Sequence, residues 1–525
     1  MCADVTRMNR VVFVLVTILC LLSLSSIRGL IHSAKADSGT ITINADGSIT
    51  GTTSIQTADN MTYVLTSDIN SSVSGNDEAI TVLRDNITID GNGFTLQNAF
   101  GSGGGTGLDL SGTTNVTVRN ITVTGFDWGI SVSSFSSIDG NDITNNARGI
   151  WLDAYSGTIE SSSNSISGNN IADNGYGIFG FSFAHNNNIT GNNFTADTSG
   201  GVRFGSDSNN SISGNRFIDC GLSEIQASNS VVNNTVNGKP LVYLEDVVGY
   251  TMGDAGQVIL VGCDDITVEG LNLSNATIGA ELYGTSNSTI SHNIFTANSV
   301  SDIDLSDSSN DRISGNNMTT NSGDCISLNS SHSNNIYGNN ISNSYDGIDV
   351  GDSSNNNIYG NNLTTNSGDC ISLDSSYSNN IYGNNISNSY NGIYLEGSSN
   401  NSIYHNNFVN NTLQVYVAPP INFQDMYVAP SVGNVWDDGY PSGGNHWSDY
   451  NGTDHYSGQY QNITGSDGIG DTPYIIDANN TDNYPLMAQY TVPEFPTFLI
   501  LPLFLIATLL AVIIYKKKAI PHKRL

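Results

Sequence analysis

The chain has 525 residues, with 48 acidic and 16 basic side chains and a formal charge of −32, yet only 12% of its residues are charged. The acidity is a shortage of bases: between Asp37 and Thr497, Arg84, Arg119, Arg148, Arg203, Arg216, Lys239 and Arg312 stand against 47 acids, a balance of −40. Such a surface excludes a nucleic-acid partner and fits affinity for cations, tolerance of high salt, or solubility alone.

At the N-terminus, Arg7 and Arg10 precede an apolar run from Val11 to about Ile27, and Ala34-Lys35-Ala36 supplies an A-x-A cleavage site. This pattern predicts a secretory signal peptide over 1–36, with an uncleaved anchor as the alternative. Residues 37–80 read as a leading, capping segment.

A short repeat fills 81–411. Its unit is I-x-G-N-N, a polar stretch, then G-I-x-L. The lead residue recurs at Ile166, Ile189 and Ile212, then at Ile290, Ile313, Ile336, Ile358, Ile381 and Ile403, in steps of 22 or 23 residues. Looser copies stand at Val116, Ile138 and Ile266, and 232–265 breaks the spacing as an atypical coil with a loop. Residues 316–360 and 361–405 are near-duplicates, identical at 35 of 45 positions without a gap. Three- to five-residue runs with period-2 alternation predict short strands. One such strand cannot bury a face alone, so successive coils must stack. The fold class is therefore all-β: a right-handed parallel β-helix of 22–23-residue coils. Asn after each Gly is expected to form amide ladders at bends where it tolerates a left-handed backbone.

Residues 412–490 read as a C-terminal capping module, with Trp436, Trp447 and Tyr450 plugging the open end. Pro493-Glu494-Phe495-Pro496 lies in a short linker (491–497). An uninterrupted apolar stretch, Phe498–Tyr515, is long enough for a transmembrane helix. The basic tail 516–525 is cytoplasmic by the positive-inside rule, which leaves the repeats outside the cell.

Cys325 and Cys370 share a slot two coils apart, about 10 Å, too far for a disulfide, so they read as core residues. Pairing of Cys220 with Cys263 stays open. About 22 N-x-S/T sequons occur, as an Asn- and Ser-rich repeat produces by chance, and exported chains can carry glycans there.

The repeats resemble the NosD-type β-helix family and the wider pectin-lyase-like group of carbohydrate-binding and sugar-hydrolase β-helices. ITIDGNGFTLQN (87–98), VNGKPLVYLED (236–246) and the closing WDDGYPSGGNHWSDYNGTD, SDGIGDTPYIID and NYPLM sharpen this to archaeal NosD-like surface proteins. Pro493–Pro496 with its helix and basic cluster resembles an archaeal sorting signal. The resemblance implies periplasmic copper binding, for which His446 and His455 are the available cluster; no close H-x-H or M-x-x-M pair exists.

Polysaccharide cleavage is a second reading. Asp324 and Asp369 lie in G-D-C-I segments that resemble the D-D-C-I of polygalacturonases, and Asp346 lies in a segment resembling their N-T-D-G-x-D. Glycoside hydrolysis needs a carboxyl pair, which Asp346 and Asp369, one coil apart, could form. The first Asp of the D-D pair, the G-H-G segment and the R-I-K segment are absent.

Binding is a third reading. Tyr337, Tyr359, Tyr382 and Tyr404 fill the outward slot after the lead Ile of four successive coils. They form an aromatic strip for sugar rings, or a ladder packed on itself. Ser466-Asp467-Gly468-Ile469-Gly470-Asp471, joined by Asp449, Asn451 and Asp454, has the oxygen ligands of a Ca²⁺ loop. The duplicate keeps its scaffold and lets chemistry drift, as from Asp346 to Asn391 and from His332 to Tyr377. The expected function is thus a non-catalytic, membrane-anchored surface protein that binds polysaccharide or has a structural role. A polysaccharide hydrolase or lyase and a copper-binding accessory protein are the alternatives.

Overall fold

The computed structural model describes residues 40–491 apart from 102, 153–160, 181–183, 206–207 and 424–425. The expected signal peptide, Pro493–Pro496 motif, membrane-spanning stretch and basic tail lie outside the described residues. Among the described residues every regular element is a strand, and no helix is long and apolar enough to cross a membrane. The chain divides into an N-terminal unit, Met1–Tyr243 with Asn275–Ile278, and a C-terminal unit, Leu244–Ser274 with Gly279–Leu525.

In the N-terminal unit each coil contributes one wider strand and two three-residue strands. One such coil comprises Trp128–Ser134, Ser137–Asp139 and Asp142–Thr144. The next coil pairs with it in parallel: Ile130 lies beside Ile150, Ile138 beside Ile166 and Ile143 beside Ile171. In a three-residue strand only the middle side chain points inward. That is where the sequence puts Ile, Val, Leu or Phe, and Ile138, Ile143, Ile166 and Ile171 are fully buried. The Gly of G-I-x-L has a steric cause: a Cβ on Gly149 would sit 2.6 Å from the carbonyl oxygen of Gly177 in the next coil.

The C-terminal unit repeats this plan. Asp324–Asn329, Ile348–Gly351, Asp369–Asp374 and Asn391–Glu396 pair in parallel as its wider strands. Asn335–Tyr337, Asn357–Tyr359, Asn380–Tyr382 and Ser402–Tyr404 form one narrow sheet. After the last coil, His446–Trp447 pairs with Asn407–Val409. Trp447 stacks between Phe408 (4.3 Å) and Tyr474 (4.2 Å), and its indole N–H donates to Asp482.

The amide ladders differ from expectation in one respect. The first Asn after each Gly is the inward one, and its backbone is not left-handed; the Gly before it takes that conformation, at Gly168, Gly191, Gly214, Gly338, Gly360 and Gly383. Left-handed Asn residues, such as Asn145, Asn186, Asn343 and Asn388, occupy other bends. Each ladder amide satisfies its neighbour. Asn169 donates both its backbone N–H (3.0 Å) and its Nδ2–H (3.0 Å) to Oδ1 of Asn192, and Asn192 does the same to Asn215. The remaining Nδ2–H reaches a carbonyl of the coil on the other side, Ile138 for Asn169 and Ile166 for Asn192. All four cysteines of the repeats are free and buried.

One ladder of the N-terminal unit ends in an acid. Asp197 accepts two bonds from Asn174 at Oδ1, but its Oδ2 is buried without a hydrogen-bond partner. Burial raises its pKa well above the ordinary 3.8. The folded state then holds a proton that the unfolded chain releases, so this contribution to stability is full at low pH and is lost as pH rises through the folded value. Asp197→Asn restores an amide that can donate onward. We expect a gain of about 1–3 kcal/mol in stability at pH 8 and a smaller gain at pH 5, read by calorimetric unfolding at the two pH values.

Candidate functional site

Because the ladders and aliphatic residues fill the interior, chemistry is left to the outward slots. On the wider strands these flank the inward pair of the G-I-x-L unit: one residue stands before the Gly and one after the Ile. The register lines them up into two columns per unit.

In the N-terminal unit the first column reads Thr106, Trp128, Arg148, Tyr176 and Gly200. The second reads Asp109, Ser131, Trp151, Phe179 and Arg203. The rings touch: Trp128 to Trp151 at 4.9 Å, Trp151 to Phe179 at 5.3 Å and Tyr176 to Phe179 at 4.9 Å. Their planes are tilted by 47°, 31° and 60°, so parts of the ring faces remain open. Trp128, Trp151 and Tyr176 are half-buried and Phe179 is buried. The sequence reading missed this face. The signal was present in the G-I-x-L unit itself, whose variable slot holds Trp151 in G-I-W-L and Phe179 in G-I-F-G.

In the C-terminal unit the same slots hold carboxyls. Asp324, Asp346 and Asp369 stand at the leading ends of three successive coils, where Cys325 N–H donates to the Asp346 carbonyl and Asp369 N–H to the Asp346 carboxylate (2.5 Å). Asn391 Nδ2–H continues the row by donating to Asp369 (2.7 Å). Asp349 lies in the second column between Ser327 and Ser372. Burial, then repulsion from Asp346 and Asp349, pushes Asp324 up to about 7. Burial likewise lifts Asp346 to about 6 and raises Asp369 and Asp349. The three weak catalytic candidates are therefore gathered and held partly protonated.

The four tyrosines stack face to face. Tyr337–Tyr359 and Tyr359–Tyr382 are 5.0 Å apart and Tyr382–Tyr404 5.6 Å, with planes within 10° of parallel. Their faces are turned to one another and only edges meet solvent. His405 meets Tyr404 edge-on and itself stacks on Tyr490 at 4.2 Å. A sugar ring needs an open aromatic face, so this geometry favours the self-packed ladder over the binding strip.

The proposed metal ligands are not brought together. Among the described residues no group of three or more His, Cys, Asp or Glu side chains is placed to hold a metal ion. The four Ca²⁺ candidates are occupied as loop ties. Asp471 accepts from His455 and Tyr456 N–H, Asp454 from Asp467 and Gly468 N–H, Asp467 from Gly458 N–H, and Asp449 from the Tyr474 hydroxyl. These bonds hold Asp454 and Asp471 below the ordinary carboxylate range, although the little burial they have acts the other way. The copper candidates differ in their contacts: the His446 ring sits against the Leu486 carbonyl (3.2 Å), and the His455 N–H is the one tied to Asp471.

The family model for the right-handed β-helix region matches residues 54–217 and 256–413. The chain belongs to this family. No curated protein matches it. Among solved structures, this β-helix is similar to the periplasmic alginate epimerase AlgG at 13% identity, over 73% of this chain and 79% of that one, with a TM-score of 0.29. The A-module of a mannuronan C-5 epimerase from Azotobacter vinelandii is 13% identical over 70% and 88%, with a TM-score of 0.22. A DFA-IIIase from Arthrobacter chlorophenolicus A6 is 15% identical over 51% and 69%, with a TM-score of 0.24.

If the tyrosine ladder is structural, Tyr359→Ala costs the C-terminal unit about 1–3 kcal/mol and leaves polysaccharide retention unchanged. Chemical unfolding and affinity electrophoresis of the same variant check both halves.

Proposed function

We propose that this chain is an exported, membrane-tethered β-helix that binds polysaccharide through the outward aromatic face of its N-terminal unit, without cleaving it. The observation that carries this reading is the tilted row of Trp128, Trp151, Tyr176 and Phe179. Aromatic faces suit the apolar flanks of sugar rings. Stacked strands repeat such platforms about every 4.8 Å along one line, which suits an extended chain rather than a single small molecule. The signal-peptide pattern and the apolar stretch at Phe498–Tyr515 support export and tethering, with residues 412–490 closing the end of the coil stack. The closing module supports placing the chain with NosD-like surface β-helices.

A second reading rests on the carboxyl row. Asp346 and Asp369, adjacent and both raised, have the protonation behaviour that an acid–base pair requires.

One experiment separates the two readings. The purified chain is run against a panel of neutral and acidic polysaccharides, with retention and release of reducing ends both measured. Trp151→Ala should lower retention by about tenfold or more with the circular dichroism unchanged and no sugar released. Retention indifferent to Trp151→Ala contradicts the binding face. Release that disappears in Asp346→Asn replaces binding with catalysis.

A further inference from the structure

The aromatic face also holds two of the few cations of the repeats, and their arrangement bears on what kind of polysaccharide fits. The Arg148 guanidinium lies 5.0 Å from the ring centre of Trp151 and 5.4 Å from that of Phe179. The Arg203 guanidinium lies 5.1 Å from Phe179 and 5.5 Å from Tyr176. Both are laid flat on the aromatic floor, at either end of it.

Each guanidinium is held by a single acid. Arg148 Nη1 meets Asp127 at 3.2 Å and Arg203 Nη2 meets Glu224 at 2.5 Å. A guanidinium carries five N–H donors in a planar fork, so most of each fork is uncommitted. Nε of both residues is buried without a hydrogen-bond partner, while the side chains keep 31% and 20% of their surface exposed. Stacking and the acid restrain each fork in one pose, which lowers the entropy lost when a ligand engages it.

The spacing sets a period. Arg148 and Arg203 stand on strands two coils apart, Arg148–Leu152 and Gly200–Phe204, with Tyr176–Gly180 between them. At the strand spacing of a sheet that is about 10 Å along the stack. A planar fork matches carboxylate or sulfate oxygens and forms stronger bonds with them than with neutral hydroxyls.

Resting on the polysaccharide-binding reading, we propose that this face selects an anionic polysaccharide: its carboxylate or sulfate groups dock on Arg148 and Arg203, and its sugar rings cross Trp151 and Phe179. The strong acidity of the chain acts against any polyanion at long range. At physiological salt, charges beyond about 8 Å are largely screened. Recognition therefore depends on these two short-range contacts.

The test uses the full purified chain at about 0.15 M salt with three probes: alginate for carboxylate, dextran sulfate for sulfate and plain dextran as the neutral polymer. The expected result is binding to one or both anionic polymers and none to dextran. Arg148→Gln and Arg203→Gln should each weaken binding about tenfold, with Arg→Lys at the same sites recovering part of the loss. Asp127→Asn and Glu224→Gln remove the competing acids and should tighten binding severalfold, a gain that misfolding cannot imitate. Equal binding of dextran, or anionic binding unmoved by all of these variants, overturns the anionic assignment. If Trp151→Ala still abolishes retention in that case, polysaccharide binding at this face stands. Failure to retain any of the panel polysaccharides overturns both.

Discussion

Everything in this chain depends on a side-chain amide that no coil can satisfy by itself. Asn361 sits at 1% exposure in the turn of its coil. It donates its backbone N–H and Nδ2–H to Asn384 of the next coil and its other Nδ2–H to the Ile336 carbonyl of the coil before. An unpaired buried amide is costly, so each coil is stable only in register with both neighbours. The 22- or 23-residue step follows directly. A slip by one residue strands every amide in the column and turns the apolar middle residues outward.

With the interior committed in this way, the outward slots are free to differ. The slots flanking G-I are filled by tryptophan, phenylalanine, tyrosine and arginine in the N-terminal unit, and by aspartate in the C-terminal unit. The scaffold is the same and the surface chemistry is opposite. Stacking alone does not make a binding site either. The tyrosines of the C-terminal unit are nearly parallel and use up their faces on one another, while the rings at 128–179 are tilted and keep theirs partly open.

The coil period, the inward Ile column and the amide ladders were legible in the sequence because backbone pairing forces them to recur. The tyrosine column was legible as a column, but ring orientation depends on side-chain torsions that no spacing reveals. The Trp151 face escaped notice because the coils there are uneven: Ile130 to Ile150 is 20 residues and Ile150 to Ile178 is 28, so its outward slots do not align by simple periodicity. Asp454 and Asp471 looked like metal ligands because composition does not tell whether a carboxylate faces a cation or backbone N–H groups. Here it is the N–H groups that they face.

The account rests on one face, at 128–204, being where a polymer lies. Hydrogen exchange of the full chain with and without alginate locates that face directly. Slowed exchange confined to 128–134, 148–152, 176–180 and 200–204 is the predicted result. Slowed exchange centred on the carboxyl row at 324–374 or on the tyrosine ladder at 337–404, with the N-terminal strands unchanged, would contradict it.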